Sequence, residues 1–127
     1  MPDLSQYTIL VVEDDIVSVE LVRTILADTG IQIKHVVTGL EAVKLIKKGF
    51  IPDIILMDMR LPEMDGYQAT QLIKELHKEI PVIAQTAFAL TEDRQKCLAA
   101  GCDEYITKPY DETLLLKIIT GFLHKNG

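Results

Sequence analysis

The chain has 127 residues, enough for one domain with a single packed core, and with 48% apolar and 25% charged residues it has globular rather than disordered composition. A net charge of −6 leaves no excess of Lys and Arg to neutralise phosphates, which speaks against direct nucleic-acid binding. No apolar run nears the roughly 20 residues needed to span a bilayer. The start, Met1-Pro2-Asp3-Leu4-Ser5-Gln6, lacks the basic-then-apolar pattern of a secretory signal. The expectation is a single cytoplasmic domain over residues 1–127, without membrane contact.

Apolar runs alternate with amphipathic segments five times. The first run, Thr8-Ile9-Leu10-Val11-Val12, is continuous and β-branched, as suits a strand covered on both faces, and it ends in Glu13-Asp14-Asp15. Leu21, Val22, Ile25 and Leu26 then form a helical stripe that Gly30 stops. The second run, residues 31–36, alternates apolar and polar, which fits an edge strand. Thr38-Gly39 introduces a short helix with Ala42, Val43, Leu45 and Ile46 inward, stopped at Gly49. The third run, residues 53–57, is again continuous and leads straight into Asp58.

A loop from Met59 to Asp65 leads to Gly66 and a helix with Ala69, Leu72, Ile73 and Leu76 inward. Pro81 opens the fourth run, Val82-Ile83-Ala84-Gln85, which ends at Thr86. Thr91-Glu92-Asp93 places a cap and acidic residues at the positive end of a helix that Gly101 closes. The fifth run, Glu104-Tyr105-Ile106-Thr107, precedes Lys108-Pro109. A last helix follows Asp111, its stripe made of Leu114, Leu115, Ile118, Ile119, Phe122 and Leu123. Cys97 and Cys102 show no ligand spacing with the histidines and read as buried apolar residues or incidental thiols.

Five such units predict an α/β fold, (βα)5, with a parallel sheet and helices on both faces. Right-handed crossovers bring every strand's carboxyl end to one edge. With the alternating run at an edge, the flavodoxin-like doubly wound order 2-1-3-4-5 follows, and its switch point lies between strands 1 and 3. Those are the two strands that end in carboxylates.

That edge gathers Glu13, Asp14, Asp58, Thr86 and Lys108. Three carboxylates in one cleft repel one another unless a positive charge joins them. Mg²⁺ suits such a site, because it takes few protein carboxylates and leaves room for waters and phosphate oxygens. Phosphoryl transfer needs in-line positioning and neutralised charge, with Asp58 as nucleophile. No Gly-rich nest follows the first strand, so a donor must bring the phosphoryl group in. Asp15 and Asp65 read as helix or turn caps, and Tyr105 as a sheet-edge aromatic.

Four segments carry a family resemblance: Ile9-Leu10-Val11-Val12-Glu13-Asp14-Asp15, residues 56–66 (LMDMRLPEMDG), Gln85-Thr86-Ala87 and Tyr105-Ile106-Thr107-Lys108-Pro109. Through them the chain closely resembles the receiver domain of two-component response regulators, the single-domain chemotaxis type included. The resemblance implies that Asp58 accepts phosphate from a partner histidine kinase or histidine phosphotransfer protein, by self-catalysed transfer and dephosphorylation rather than as an enzyme proper. It implies Mg²⁺ held by Asp14, Asp58 and the backbone carbonyl of Arg60, with Glu13 acting through water. Lys108 would hold a phosphate oxygen, next to a cis bond to Pro109. Thr86 would move onto the phosphate and Tyr105 would swing inward, shifting the surface over residues 91–123 toward an unnamed downstream target. Ala87 has the small size the family needs, and Arg60 and Phe88 stand where side chains tune the lifetime of the phosphate.

The wording of residues 62–66 and 85–89 resembles hybrid-kinase receivers, so an excised receiver stands beside a stand-alone regulator as an alternative. A Mg²⁺-dependent phosphatase of the haloacid dehalogenase type is a weaker rival. It wants a second aspartate where this chain has Arg60. A pseudo-receiver that acts without phosphorylation is opposed by the intact acidic pair, Thr86 and Lys108.

Overall fold

In the computed structural model of the chain, residues 2–61, 64–87, 91–108 and 111–126 are described, save the side chains of 91–93, 125 and 126. Phe88, Pro109 with its bond to Lys108, and the loop residues Pro62 and Glu63 lie outside the described residues, as does the side chain of the expected cap Thr91. The elements are β1 (Thr8–Val12), α1 (Ile16–Leu26), β2 (Gln32–Val36), α2 (Gly39–Lys47), β3 (Ile54–Asp58), α3 (Gly66–Leu76), β4 (Val82–Thr86), α4 (Thr91–Ala100), β5 (Glu104–Thr107) and α5 (Glu112–Asn126). A single turn of 3₁₀ helix, Ala27–Thr29, extends α1 before Gly30 adopts a left-handed φ of 78° and ends it.

The strands form one sheet in the order β2-β1-β3-β4-β5 with every pair parallel, the flavodoxin-like order expected from the sequence. β3 and β4 are buried throughout, and β2, at the edge, alternates between exposed and half-buried positions before Val36. Continuous apolar runs therefore sit centrally and the alternating run sits outside.

Period-two alternation splits the core into two layers. Leu10, Val12, Ile55, Met57, Val82 and Ala84 pack under α2, α3 and α4. Ile9, Val11, Ile54, Leu56, Ile83 and Ile106 pack under α1 and α5. Each Val, Leu, Ile or Met among them contributes about 1.5–3 kcal/mol by leaving water, so the central strands are anchored on both faces. Asp58 follows Leu56 by two residues and Lys108 follows Ile106 by two, which puts both on the α1–α5 face. Thr86 and Tyr105 fall on the opposite face by the same count.

Three expected helix stripes are corrected in detail. Leu21, Leu76 and Leu114 are exposed, whereas Val19 and Thr70 are buried. The reason is geometric: a helix laid on a flat sheet buries a narrow strip, and Leu21 and Leu114 sit one position, about 100° around the axis, from the buried Val22 and Leu115, while Leu76 is the last residue of α3, a turn past the buried Ile73. Leu45, Leu72, Ile118 and Phe122 flank the strip and are half-buried. Cys97 and Cys102 are both buried in the α2–α4 layer, and burial first, then the neighbouring Cys97, pushes the Cys102 thiol up to about 12. They pack as apolar residues do. Among the described residues, no helix is long and apolar enough to cross a membrane.

Candidate functional site: an acidic cluster with one lysine

β1 and β3 are neighbours in the sheet, so the residues that leave their carboxyl ends meet. Carboxylate oxygens of Glu13, Asp14 and Asp58 all lie within 4.8 Å of one another. Glu13 is 1% exposed and Asp58 7%, while Asp14 is open to solvent. Asp15, next in line, turns away: its Oδ1 accepts from Val17 N at 3.1 Å and its Oδ2 from Ser18 Oγ at 3.0 Å, capping α1. Asp65 caps α3 likewise, accepting from Gln68 N at 2.9 Å. Both caps were legible in the sequence.

Lys108 arrives from the end of β5, fixed by its backbone N–H to Thr86 O at 2.8 Å. Its Nζ donates to Glu13 Oε1 at 2.5 Å, and stands 3.5 Å from both Asp58 Oδ2 and Ser18 Oγ. Burial, aided by the hydrogen bond and charge of Asp58, pushes the Glu13 carboxyl up to about 7 against the pull of Lys108. Burial alone would lower the Lys108 ammonium, but the bond to Glu13 and the charges of Asp58 and Glu13 outweigh it and raise the group instead. Among the described residues, Lys108 thus meets two of the three carboxyl groups, Glu13 and Asp58. The remaining negative charge, with oxygen donors at short mutual range, is what a hard divalent cation such as Mg²⁺ requires.

Asp58 is oriented by the backbone around it. Its Oδ1 accepts from Arg60 N at 2.9 Å, which leaves Oδ2 on the side of Lys108. Met59 N donates to Gln85 O at 3.0 Å, and Gly66 N to Met59 O at 3.2 Å. A Cβ on Gly66 would stand 2.3 Å from Asp58 O and 2.7 Å from Met59 Cα, so only glycine lets α3 start against this turn. The sequence showed Gly66 as a helix start and gave no sign of that approach.

The remaining expected residues sit nearby with distinct surroundings. Thr86 is buried at the end of β4. Tyr105 is half-buried against the α2–α4 layer, with the Arg94 guanidinium 5.5 Å from its ring centroid. Arg60 is exposed beyond its backbone bond to Asp58. Two neighbours were missed by sequence reasoning. Ser18 faces Lys108, and His35 Nε2 lies 2.7 Å from the carbonyl oxygen of Glu13. Nothing local marks either one, because each meets the cluster only through the packing of α1 and β2.

Comparison with known proteins identifies relatives of the whole fold. The sequence model described as "Response regulator receiver domain" matches residues 9–120. The polar-differentiation response regulator DivK of Brucella ovis is 36% identical over 118 residues, covering 91% of this chain and 95% of its own. The sensor histidine kinase RcsC of Escherichia coli K12 is 37% identical over 118 residues, which are 93% of this chain and only 12% of the kinase. The chain therefore matches nearly all of some relatives and a small part of others. Among solved structures, the receiver domain of a sensor histidine kinase from Pseudomonas aeruginosa PAO1, described with magnesium coordinated in its active-site cleft, superposes with a TM-score of 0.85 at 37% identity, covering 93% of this chain and 98% of that one. The signal receiver domain of a histidine kinase from Syntrophus aciditrophicus gives 0.86 at 36% identity over 94% and 91% of the two chains.

Proposed function

Because the chain belongs to the response regulator receiver family of two-component signalling, we propose that it is a phosphoacceptor switch in which Asp58 takes a phosphoryl group from a phosphohistidine of a kinase or phosphotransfer protein. The observation that carries this is the charge balance at Asp58: three carboxyl groups lie within 4.8 Å of one another, and Lys108 pairs with two of them. Asp14, Asp58 and the carbonyl of Arg60 would hold Mg²⁺, with Glu13 alongside through water. When bound, the ion supplies the positive charge that lets a carboxylate and a phosphoryl group approach. The relative described with magnesium coordinated in its active-site cleft supports a divalent cation in this cleft.

The chain's own residues perform the transfer. Arg60 N–H holds Oδ1 of Asp58, so Oδ2 is the oxygen free to attack phosphorus. The new P–O bond forms as the P–N bond of the donor breaks, and the imidazole leaves with the electron pair. Lys108, already 3.5 Å from Oδ2, moves from Glu13 toward the phosphoryl oxygens as the charge shifts there. The rim a donor must cross includes exposed Ile16 and Val17 at the start of α1, an apolar border beside the charged cleft.

Thr86 and Tyr105 relay the event. They share the sheet face opposite Asp58, on paired strands, and Arg94 of α4 lies over the Tyr105 ring. Thr86 turning its hydroxyl onto the phosphate opens space toward which Tyr105 swings, and Arg94 and α4 follow. The surface over residues 91–123 is the output face, a two-state element biased by one new dianion. This holds for a stand-alone regulator and for a receiver within a longer kinase alike. The test is mass spectrometry after incubation with acetyl phosphate and Mg²⁺. One acid-labile phosphoryl adduct is expected on the wild type and none on Asp58→Asn; equal labelling of the two would overturn the assignment.

A further inference from the structure

The β1–β2 ladder ends at the pair Val12–Val36, and beyond it the backbone of Glu13 is still held by β2 from both sides. Its N–H donates to Val36 O at 3.1 Å. Its carbonyl oxygen accepts from His35 Nε2 at 2.7 Å. A carbonyl can only accept, so Nε2 carries the proton, as it does in one neutral tautomer and in the imidazolium alike. A side chain stands where the next backbone rung would come.

The N–H belongs to the peptide between Val12 and Glu13, and the carbonyl held by His35 to the peptide between Glu13 and Asp14. Fixing the plane of the second peptide constrains ψ of Glu13 and φ of Asp14, the two torsions that decide whether one carboxyl points into the cleft and the next stays within 4.8 Å of it. The turn is closed from within by Asp15 N donating to Glu13 Oε2 at 3.3 Å, and its backbone at Glu13 is supported from outside by β2. His35 is half-buried and reaches Glu13 from the edge strand, 22 residues away along the chain.

We infer that His35 is a positioning residue for the divalent-cation site, aiming Glu13 and Asp14 through the Glu13 carbonyl without touching the ion. The inference rests on the metal reading of the preceding section. Partners that orient groups at a metal site typically change affinity by about 10–100-fold when removed. A hydrogen bond one peptide away from the ligands belongs at the lower end of that range.

The test is Mg²⁺ affinity of the full chain by isothermal titration, at one fixed pH, for wild type, His35→Val, His35→Gln and Asp14→Ala, with metal-free urea midpoints beside it. Val keeps a strand-forming side chain and removes the donor, while Gln returns an N–H at similar reach. His35→Val should bind Mg²⁺ about tenfold more weakly, and His35→Gln should recover to within about threefold of wild type. That recovery should appear whether or not the two variants differ in urea midpoint, which a merely structural role would not produce. Wild-type affinity in His35→Val, or equal loss in Val and Gln variants, overturns the proposal. Failure of the wild type to bind Mg²⁺ more tightly than Asp14→Ala would instead overturn the metal reading beneath it.

Discussion

Two lysines at opposite ends of the same sheet show how a structural network differs from a site. Lys74, 14% exposed, donates to Lys78 O at 3.1 Å, Ile80 O at 2.7 Å and Asp103 Oδ2 at 2.6 Å, so its three protons meet three acceptors. Asp103 Oδ2 also takes Val82 N at 2.8 Å, and the cluster ties α3 to the starts of β4 and β5. Lys108, 25% exposed, faces Glu13 and Asp58 with Asp14 close by, one positive charge among three carboxyl groups. The first network is complete as it stands. The second holds three carboxyl groups beside one lysine, and burial first, then Asp58, pushes its Glu13 carboxyl up to about 7 against the pull of Lys108. The charge balance is incomplete at the carboxyl edge and complete at the amino edge, and that is the difference between the two clusters.

Removing Asp14 should break this contrast most visibly. In Asp14→Ala, labelling by acetyl phosphate should lose its dependence on added Mg²⁺ and fall to near background, with the circular dichroism spectrum unchanged. Retained Mg²⁺-dependent labelling would place the cation elsewhere.

The next effect is on stability and pH in the metal-free protein. Folded Glu13 holds its proton up to about pH 7, whereas the unfolded chain releases it near 4.5. Between those values the folded state binds more protons, so its stability falls as pH rises, by about 3 kcal/mol in all. Stability is fully present below pH 4.5 and the loss is complete above about 7. Urea titrations of wild type and Glu13→Gln over that window should show the slope in the first and its absence in the second. Equal slopes would mean that Lys108 keeps Glu13 ionised.

The smallest effect sharpens the other end. Lys74→Met should cost about 2 kcal/mol, because two carbonyls and Asp103 lose a donor, while Mg²⁺-dependent labelling per folded molecule stays at the wild-type level. A lysine mutation that lowered labelling as much as stability would erase the distinction between the two edges.

Much of the fold was legible because parallel α/β topology is written locally. Continuous runs marked β1 and β3 as central, the alternating run marked β2 as an edge, and Asp15 and Asp65 carried the mark of caps. The gathering of Glu13, Asp14, Asp58, Thr86 and Lys108 at one edge follows from right-handed crossovers alone. The helix faces were less legible. Leu21, Leu76 and Leu114 fit an apolar stripe but lie outside the strip a sheet can cover. Periodicity gives direction around an axis, not the width of what lies beneath.

By itself, then, the sequence determined the strand order and the edge where Glu13, Asp14, Asp58, Thr86 and Lys108 gather, because each is set by residues near one another in the chain or by a rule of handedness. Only the tertiary structure decided that Lys108 rests on Glu13 across a separation of 95 residues, that His35 holds the Glu13 carbonyl, and that Gly66 must lack a side chain to sit on the Asp58 turn. Those contacts depend on how far each strand and helix slides against its neighbour. That register is set by the packing of the whole core, and no local pattern records it.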